Sequence, residues 1–272
     1  MREDKMQRQR FELKYIVTEE VALAAREFVG SYLDLDEYGA TLPDYSYPVH
    51  SLYLDSGGLQ LYWTTINGDK NRFKLRLRFY DERSESPVFF EIKQRMNSII
   101  AKQRGGVRRD AVDWLLAGRL PETAHLVSRD PRQLMALQNF CRLMQDIRAR
   151  PKTRVSYLRE AWIGRDGNSV RVTMDREVNC EADPSARLLT RMDNPIPVFG
   201  KNVVLELKYT DRFPDWFKQL VRVLGLMQCG AAKYVDGVNR IGPDRVRRAF
   251  VMDDRPARAG AGRKGSQSVE RA

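Results

Sequence analysis

The chain has 272 residues, 42% of them hydrophobic and 31% charged, with a formal net charge of +11. That is ample material for a core, and the positive excess points to an anionic partner: nucleic acid, an acidic membrane surface or a phosphorylated small molecule. No apolar run approaches membrane-spanning length, and the polar start Met1-Arg2-Glu3-Asp4-Lys5 has no apolar stretch behind it, which predicts a cytoplasmic protein without a secretory leader. Cys141, Cys180 and Cys229 are far apart and odd in number, which suits a reducing compartment and shows neither disulfide nor zinc spacing. His50 and His125 are isolated and read as structural or surface residues.

Along the chain, short strands with charge on one face alternate with amphipathic helices. Arg10, Glu12 and Lys14 interleave with Phe11, Leu13 and Tyr15. Thr18 can cap a helix to about Tyr32, with Val21, Ala25, Phe28 and Tyr32 as its apolar stripe. Val49–Asp55 reads as a strand closed by Ser56-Gly57-Gly58. After the turn signal Asn67-Gly68 comes the most regular segment, Arg72 to Phe79. Successive strand side chains take opposite faces, so Arg72, Lys74, Arg76 and Arg78 form one row, and Phe73, Leu75, Leu77 and Phe79 the other. Same-face neighbours lie roughly 6.6 Å apart, a spacing at which like charges repel unless a partner holds them. A solvated outer face is one explanation; a polyanion lying along the row is the other.

Val88–Lys93 forms a further strand with Glu91 and Lys93 on one side. Asp110 can cap a short helix carrying Val112, Leu115 and Leu116. Asp130-Pro131 signals a helix to about Arg148, burying Leu134, Leu137, Cys141, Met144 and Ile147. Thr153–Trp162, a hairpin turn at Gly164–Asn168, and Val170–Asp175 follow. Val203–Tyr209 repeats the Glu-x-Lys arrangement at Glu206 and Lys208. Pro214 opens a helix with Phe217, Leu220, Val221 and Leu224 inward, and Trp216 and Met227 read as core. A last helix is expected near Asp244–Val251. The reading is one folded domain over residues 1–252. Residues 253–272, low in hydrophobics and rich in Gly and Arg, read as a disordered basic tail.

Glu-x-Lys occurs three times, at Glu12/Lys14, Glu91/Lys93 and Glu206/Lys208. A closed antiparallel barrel accommodates so many charged strand faces if its lumen is polar and helices cover its outer wall. Convergent Arg and Lys would clamp phosphate oxygens, and carboxylates would hold a divalent metal bridging those phosphates. The sequence has no Gly-x-x-x-x-Gly-Lys-Ser/Thr loop, no Gly-x-Gly-x-x-Gly after a strand and no His-Glu-x-x-His motif, and two isolated histidines assemble no Ser/His/Asp set. Phe73 and Phe79 lie on the face opposite the arginines, as wall packing rather than a base-stacking platform, which argues against nucleic acid.

Arg10–Tyr15, Ser51–Asp55, Lys74–Tyr80, Glu91–Lys93, Ser156–Arg159, Glu206–Tyr209 and Lys233-Tyr234 occur in an order that resembles the VTC (vacuolar transporter chaperone) domain, the polyphosphate polymerase branch of the CYTH, or triphosphate tunnel metalloenzyme, superfamily. The resemblance covers roughly Arg10 to Arg240. It implies an α+β fold, an antiparallel β-barrel tunnel with a basic lumen and helices packed outside. It also implies transfer of the γ-phosphoryl group of ATP to a growing inorganic polyphosphate chain, with Mn²⁺ or Mg²⁺. Its implied phosphate ligands are Lys14, Arg76, Arg78, Lys93, Lys102, Arg154, Arg159, Arg171, Lys208 and Lys233. Of these, Lys14, Arg76, Arg78, Lys93 and Arg154, together with Glu206, form the implied catalytic set. Glu206 is the first metal candidate, followed by Glu91, Asp175 and Glu12. Inorganic triphosphatase or nucleotide phosphohydrolase activity, and polyphosphate sensing without turnover, are the alternatives. Arg10 stands where tunnel triphosphatases carry the first Glu of Glu-x-Glu-x-Lys, in keeping with the polymerase branch. Gly230-Ala231-Ala232-Lys233 lacks the extra basic residue that some polymerases have before their last lysine. The membrane-spanning and SPX parts of the eukaryotic complexes have no counterpart in the sequence, so translocation is expected to need a separate membrane protein.

Overall fold

The computed structural model describes residues 10–249 apart from Ser98, Asp166 and Asp211; the expected tail lies outside them. In chain order the elements are β1 (Arg10–Val17), α1 (Glu19–Gly30), β2 (Leu33–Leu35), β3 (Ser46–Asp55), α2 (Gln60–Ile66), β4 (Asn71–Phe79), β5 (Val88–Met96), β6 (Ile99–Val107), α3 (Val112–Leu116), α4 (Pro131–Asp146), β7 (Arg150–Gly164), β8 (Gly167–Ala182), β9 (Ile196–Pro197), β10 (Val203–Thr210), α5 (Asp215–Val223), α6 (Lys233–Ile241) and α7 (Pro243–Arg248).

One antiparallel sheet runs β1-β10-β8-β7-β3-β4-β5-β6, with β2 added to β7 and β9 to β8. It curls until its end strands, β1 and β6, come within 8 Å of each other. No ladder joins them among the described residues, and the gap is crossed instead by side chains, Lys93 of β5 reaching Glu12 of β1 at 2.8 Å. The expected α+β fold is present. Its tunnel is an open sheet rather than a hydrogen-bonded cylinder.

Helices cover the outer face, as the apolar rows require. Leu75, Leu77 and Phe79 of β4 and Phe90 and Ile92 of β5 pack beneath α4 through Leu137, Phe140, Cys141 and Met144. On the far side Tyr15, Val172, Leu205 and Leu207 meet α1 and α5 through Ala22, Ala25, Val29, Phe217 and Leu220. A third cluster lies on the inner face, where α2 and α6 pack on Tyr53, Val155, Tyr157 and Cys180 through Tyr62, Tyr234, Val235 and Val238. These cores fix which face of each strand can carry charge.

Asp130 caps α4 by accepting from the Arg132 N–H at 2.9 Å, with Pro131 at the first helical position. The stripe of α1 is turned by about one residue from the expected one, burying Ala22, Ala25 and Val29 and leaving Tyr32 exposed. Met227 is 86% exposed, against the core reading: α5 ends at Val223 and Gly225 turns the chain at φ 58°, so no helical face carries Met227 inward. Helix α4 approaches β6 so closely at Gly105 that an added Cβ would strike the Leu137 side chain and lie 2.8 Å from the Gln133 carbonyl oxygen. Gly105→Ala is therefore expected to destabilise the fold by about 1–3 kcal/mol through overpacking, read as a lower denaturant midpoint at unchanged slope.

Candidate functional site

Strand alternation turns the charged rows to the inner face. There they surround a cavity of about 620 Å³ lined by Lys14 of β1, Lys74, Arg76 and Arg78 of β4, Lys93 of β5, Lys102 and Arg104 of β6, Arg159 of β7, Arg171 of β8, Lys208 of β10 and Lys233 of α6. Among the described residues only two carboxylates, Glu12 and Glu206, share that lining with the eleven cations. A second cavity of about 300 Å³ continues from the first, sharing Glu12, Lys14, Lys74, Lys93, Ile100 and Ala232, and carries Arg72 and Arg95 at its outer end. Together they form a two-part basic channel.

Buried carboxylates behind the lining hold the cations in place. Glu91 is fully buried opposite Arg76 in the β4–β5 register. It meets Arg76 at 2.7 Å, Lys102 at 2.6 Å, Arg104 at 3.4 Å and Arg78 at 4.0 Å. Phenols support the same guanidiniums: Arg76 donates to Tyr53 Oη at 3.2 Å and Arg78 to Tyr157 Oη at 2.9 Å. Across the channel Asp175 takes Arg159 at 2.7 Å and Lys233 at 2.6 Å. Glu206 takes Lys208 at 2.5 Å, Lys233 at 3.0 Å, Lys14 at 3.6 Å and Arg159 at 3.7 Å.

Burial alone would raise these carboxyls. The surrounding cations overcome it and hold Glu91 and Glu206 well below the usual carboxylate range, with Asp175 lowered too. Burial lowers the amines of Lys208 to about 8 and Lys74 to about 7, against the pull of Glu206 in the first case and with the help of neighbouring cations in the second. Lys233 is raised despite burial, because it sits between Asp175 and Glu206.

Helix α6 carries Lys233 to this point, and its seat is fixed from behind. The buried Asp55 carboxylate accepts from the N–H groups of Ser56, Leu61 and Tyr62 at 2.7 to 2.9 Å and from Tyr234 Oη at 2.7 Å. One side chain thus caps α2 and anchors the residue next to Lys233.

Nine of the ten residues implied as phosphate ligands line the channel. Arg154 does not. It lies on the opposite face of β7 from Tyr157 and Arg159, paired with Glu181 and with Asp183 at 3.5 Å and donating to the Leu189 carbonyl oxygen. The reason is alternation: Arg154 and Arg159 are an odd number of residues apart on one strand, so they cannot share a face. Among the metal candidates Glu12 and Glu206 reach the lining, while Glu91 and Asp175 are fully buried behind it. Lys74 belongs to the lining although the family resemblance does not assign it, and so do Arg104, Tyr53 and Tyr157. Lys74 was available from the alternating row, and Arg104 lies two residues beyond Lys102 on β6. His50 is buried outside the channel, its Nδ1 2.7 Å from Ser156 Oγ and its ring stacked on Phe79. Burial, aided by Arg154, lowers it to about 4.

No cluster of three or more His, Cys, Asp or Glu side chains capable of caging a metal exists among the described residues. The donor set does fit an ion that arrives with phosphates, since Mg²⁺-like ions are commonly held by one or two carboxylates plus substrate oxygens. Glu12 and Glu206 suit that role. Their Oε1 atoms lie 3.1 and 3.6 Å from the one Lys14 ammonium, so they converge on a point that a cation already occupies.

The profile of the VTC domain matches residues 9–241. The chain belongs to the VTC domain family. That family is a branch of the CYTH superfamily, whose triphosphate-tunnel type of function concerns nucleotides and polyphosphate. No curated protein shows significant similarity to the chain. Solved structures similar to this VTC-domain protein include a candidate adenylate cyclase of Bacillus halodurans, with 12% identity and a TM-score of 0.46, covering 83% of this chain and 95% of that one. Another is the PH1819 protein of Pyrococcus horikoshii OT3, with 13% identity and a TM-score of 0.43, covering 84% and 96%. Among the described residues of the VTC-domain chain, no helix is long and apolar enough to cross a membrane.

Proposed function

We propose that the channel binds ATP and inorganic polyphosphate and transfers the γ-phosphoryl group of ATP to the end of the chain. The observation that carries this reading is the convergence of eleven cationic side chains, from seven strands and one helix, on one internal cavity. In the transfer, a terminal phosphate oxygen of the chain forms a bond to the γ-phosphorus, the bond from that phosphorus to the β–γ bridging oxygen breaks, and ADP leaves with the electron pair. The attacking group is already an anion, so the protein need supply no base, and no histidine lines the cavity among the described residues. Positioning and neutralisation by preorganised charges are what such a reaction asks of a protein.

Arg76 and Arg78 are held rigid by Glu91, Tyr53 and Tyr157 and suit bidentate contact with phosphate oxygens. Lys208, Lys233 and Arg159 face them from the Glu206 side. A divalent ion accompanying the phosphates would neutralise charge on the transferring group, with Glu206 and Glu12 as its protein ligands. One observation favours a second reading, polyphosphate sensing without turnover: the four carboxylates implied as metal ligands are all already engaged by Lys or Arg.

Incubation with ATP and Mn²⁺ separates the readings. Long-chain polyphosphate with stoichiometric ADP is the expected product. Orthophosphate without polymer would replace the polymerase by a triphosphatase. Thermal stabilisation by added polyphosphate without ATP consumption would leave only a sensor, at about 2.7 kcal/mol for a hundredfold excess over Kd.

A further inference from the structure

Across β4, β5 and β6 the register sets Lys74 opposite Lys93 and Lys93 opposite Lys102. Like charges placed directly opposite each other destabilise a sheet, so each ammonium needs a counter-charge. Lys102 has Glu91 at 2.6 Å and Lys93 has Glu12 at 2.8 Å. Glu12 is also engaged by Lys14 at 3.1 Å. Lys74 has neither an ion pair nor a hydrogen bond among the described residues. Around it stand Lys14 of β1, Lys93 of β5 and Arg72 of its own strand. The carboxylate acting on it is Asp236 of α6, which already accepts from the Ala232 N–H at 2.7 Å.

Its position is equally specific. Lys74 lines both cavities, at the waist where they meet. Along the β4 row its same-face neighbours, roughly 6.6 Å to either side, are Arg76, which lines the first cavity, and Arg72, which lines the second. A phosphate chain longer than the first cavity can hold must pass this ammonium.

We propose that Lys74 forms a separate anion subsite at the waist of the channel, taking a phosphate of a chain that extends beyond the first cavity. This rests on the polyphosphate reading of the channel and adds to it a residue that discriminates chain length. The lowered amine, near 7, is what a half-buried ammonium crowded by cations and lacking its anion should show. A bound phosphate supplies that anion and restores the protonated form.

The test compares binding of inorganic tripolyphosphate and of a several-fold longer linear polyphosphate by calorimetry, using wild type, Lys74→Met and Lys74→Arg. Methionine keeps an unbranched apolar stem without charge, and melting temperatures no lower than that of wild type confirm folding. Lys74→Met is expected to lose about tenfold in affinity for the longer chain, the equivalent of one charged contact, and a clearly smaller factor for tripolyphosphate, which the other ten cations of the first cavity still hold. Lys74→Arg keeps both affinities. As pH rises from 6 to 9, wild type loses long-chain affinity more steeply than Lys74→Arg, whose guanidinium stays charged. Equal losses of both ligands in Lys74→Met, or no loss, overturn the subsite while leaving the channel reading standing. If wild type binds neither ligand, the channel reading falls and the subsite with it.

Discussion

Glu91→Gln is expected to lower stability by about 3–5 kcal/mol, the range for breaking a buried ion pair by removing one partner. The amide has nearly the volume of the carboxylate, so the loss reports charge rather than packing. Glu91 is fully buried between Arg76 on β4 and Arg104 on β6 in the sheet register, and Lys102 and Arg78 also reach it. Its neutral replacement leaves four cations in a confined space with no anion between them. The folded-state carboxyl is held well below its ordinary value. Its contribution is therefore present above the unfolded-state value of about 4.3 and is lost as pH falls through the folded one. Wild type and variant should accordingly converge in strongly acidic solution and differ most at neutral pH. Added polyphosphate should restore much of the variant's stability by supplying the missing negative charge. Urea denaturation at pH 7 and at pH 3, with and without polyphosphate, reads all three effects. A neutral-pH loss below about 1 kcal/mol, the level of exposed surface pairs, would mean that the channel is water-filled enough to screen its own charges.

How much of this was legible in the sequence follows from which interactions are local. The β4 row could be read directly, because alternation within one strand needs no knowledge of neighbours. The same holds for the cap and first proline of α4. The exclusion of Arg154 from the channel is equally local, since it stands an odd number of residues from Arg159 on one strand. The pairing of charges is not. Glu91 and Lys93 look like partners two residues apart, yet Glu91 goes to Arg76 and Lys102 while Lys93 crosses to Glu12, a choice set by sheet register and by the approach of β1 to the β5–β6 edge. Helix α2 gave no sequence signal either. Its N-cap position is Leu59 at φ 62°, with no side-chain cap, and the capping carboxylate is Asp55, further back in β3. In β8 the residue Glu177, at φ 50°, interrupts the ladder with β7. Asp175 before it and Val178 and Cys180 after it face inward, so the alternation changes phase in mid-strand. A periodicity read from sequence cannot see that shift.

Glu206→Gln is expected to reduce ATP-dependent phosphoryl transfer about 10²- to 10³-fold, the scale for losing one preorganised electrostatic contact, while tripolyphosphate affinity at pH 6.5 stays equal or rises. The two effects separate because Glu206 has two kinds of neighbour. It holds Lys208, Lys233, Lys14 and Arg159 in place, and it presents an oxygen beside Glu12 where a phosphate-borne divalent ion can be met. Neutralising it raises the net positive charge of the channel, which favours anion binding, and removes the oxygen that an accompanying cation needs. The Lys208 amine, already near 8, loses the carboxylate that keeps it protonated. The variant's triphosphate affinity should therefore fall between pH 7 and 9 more steeply than that of wild type. Asp175→Asn serves as the comparison. It removes a fully buried carboxylate behind the lining, between Arg159 and Lys233, so its cost is expected chiefly in stability. Parallel loss of turnover and of tripolyphosphate binding in Glu206→Gln would assign that carboxylate to holding the lysines alone. The ion that comes with the nucleotide would then have to be met by Glu12.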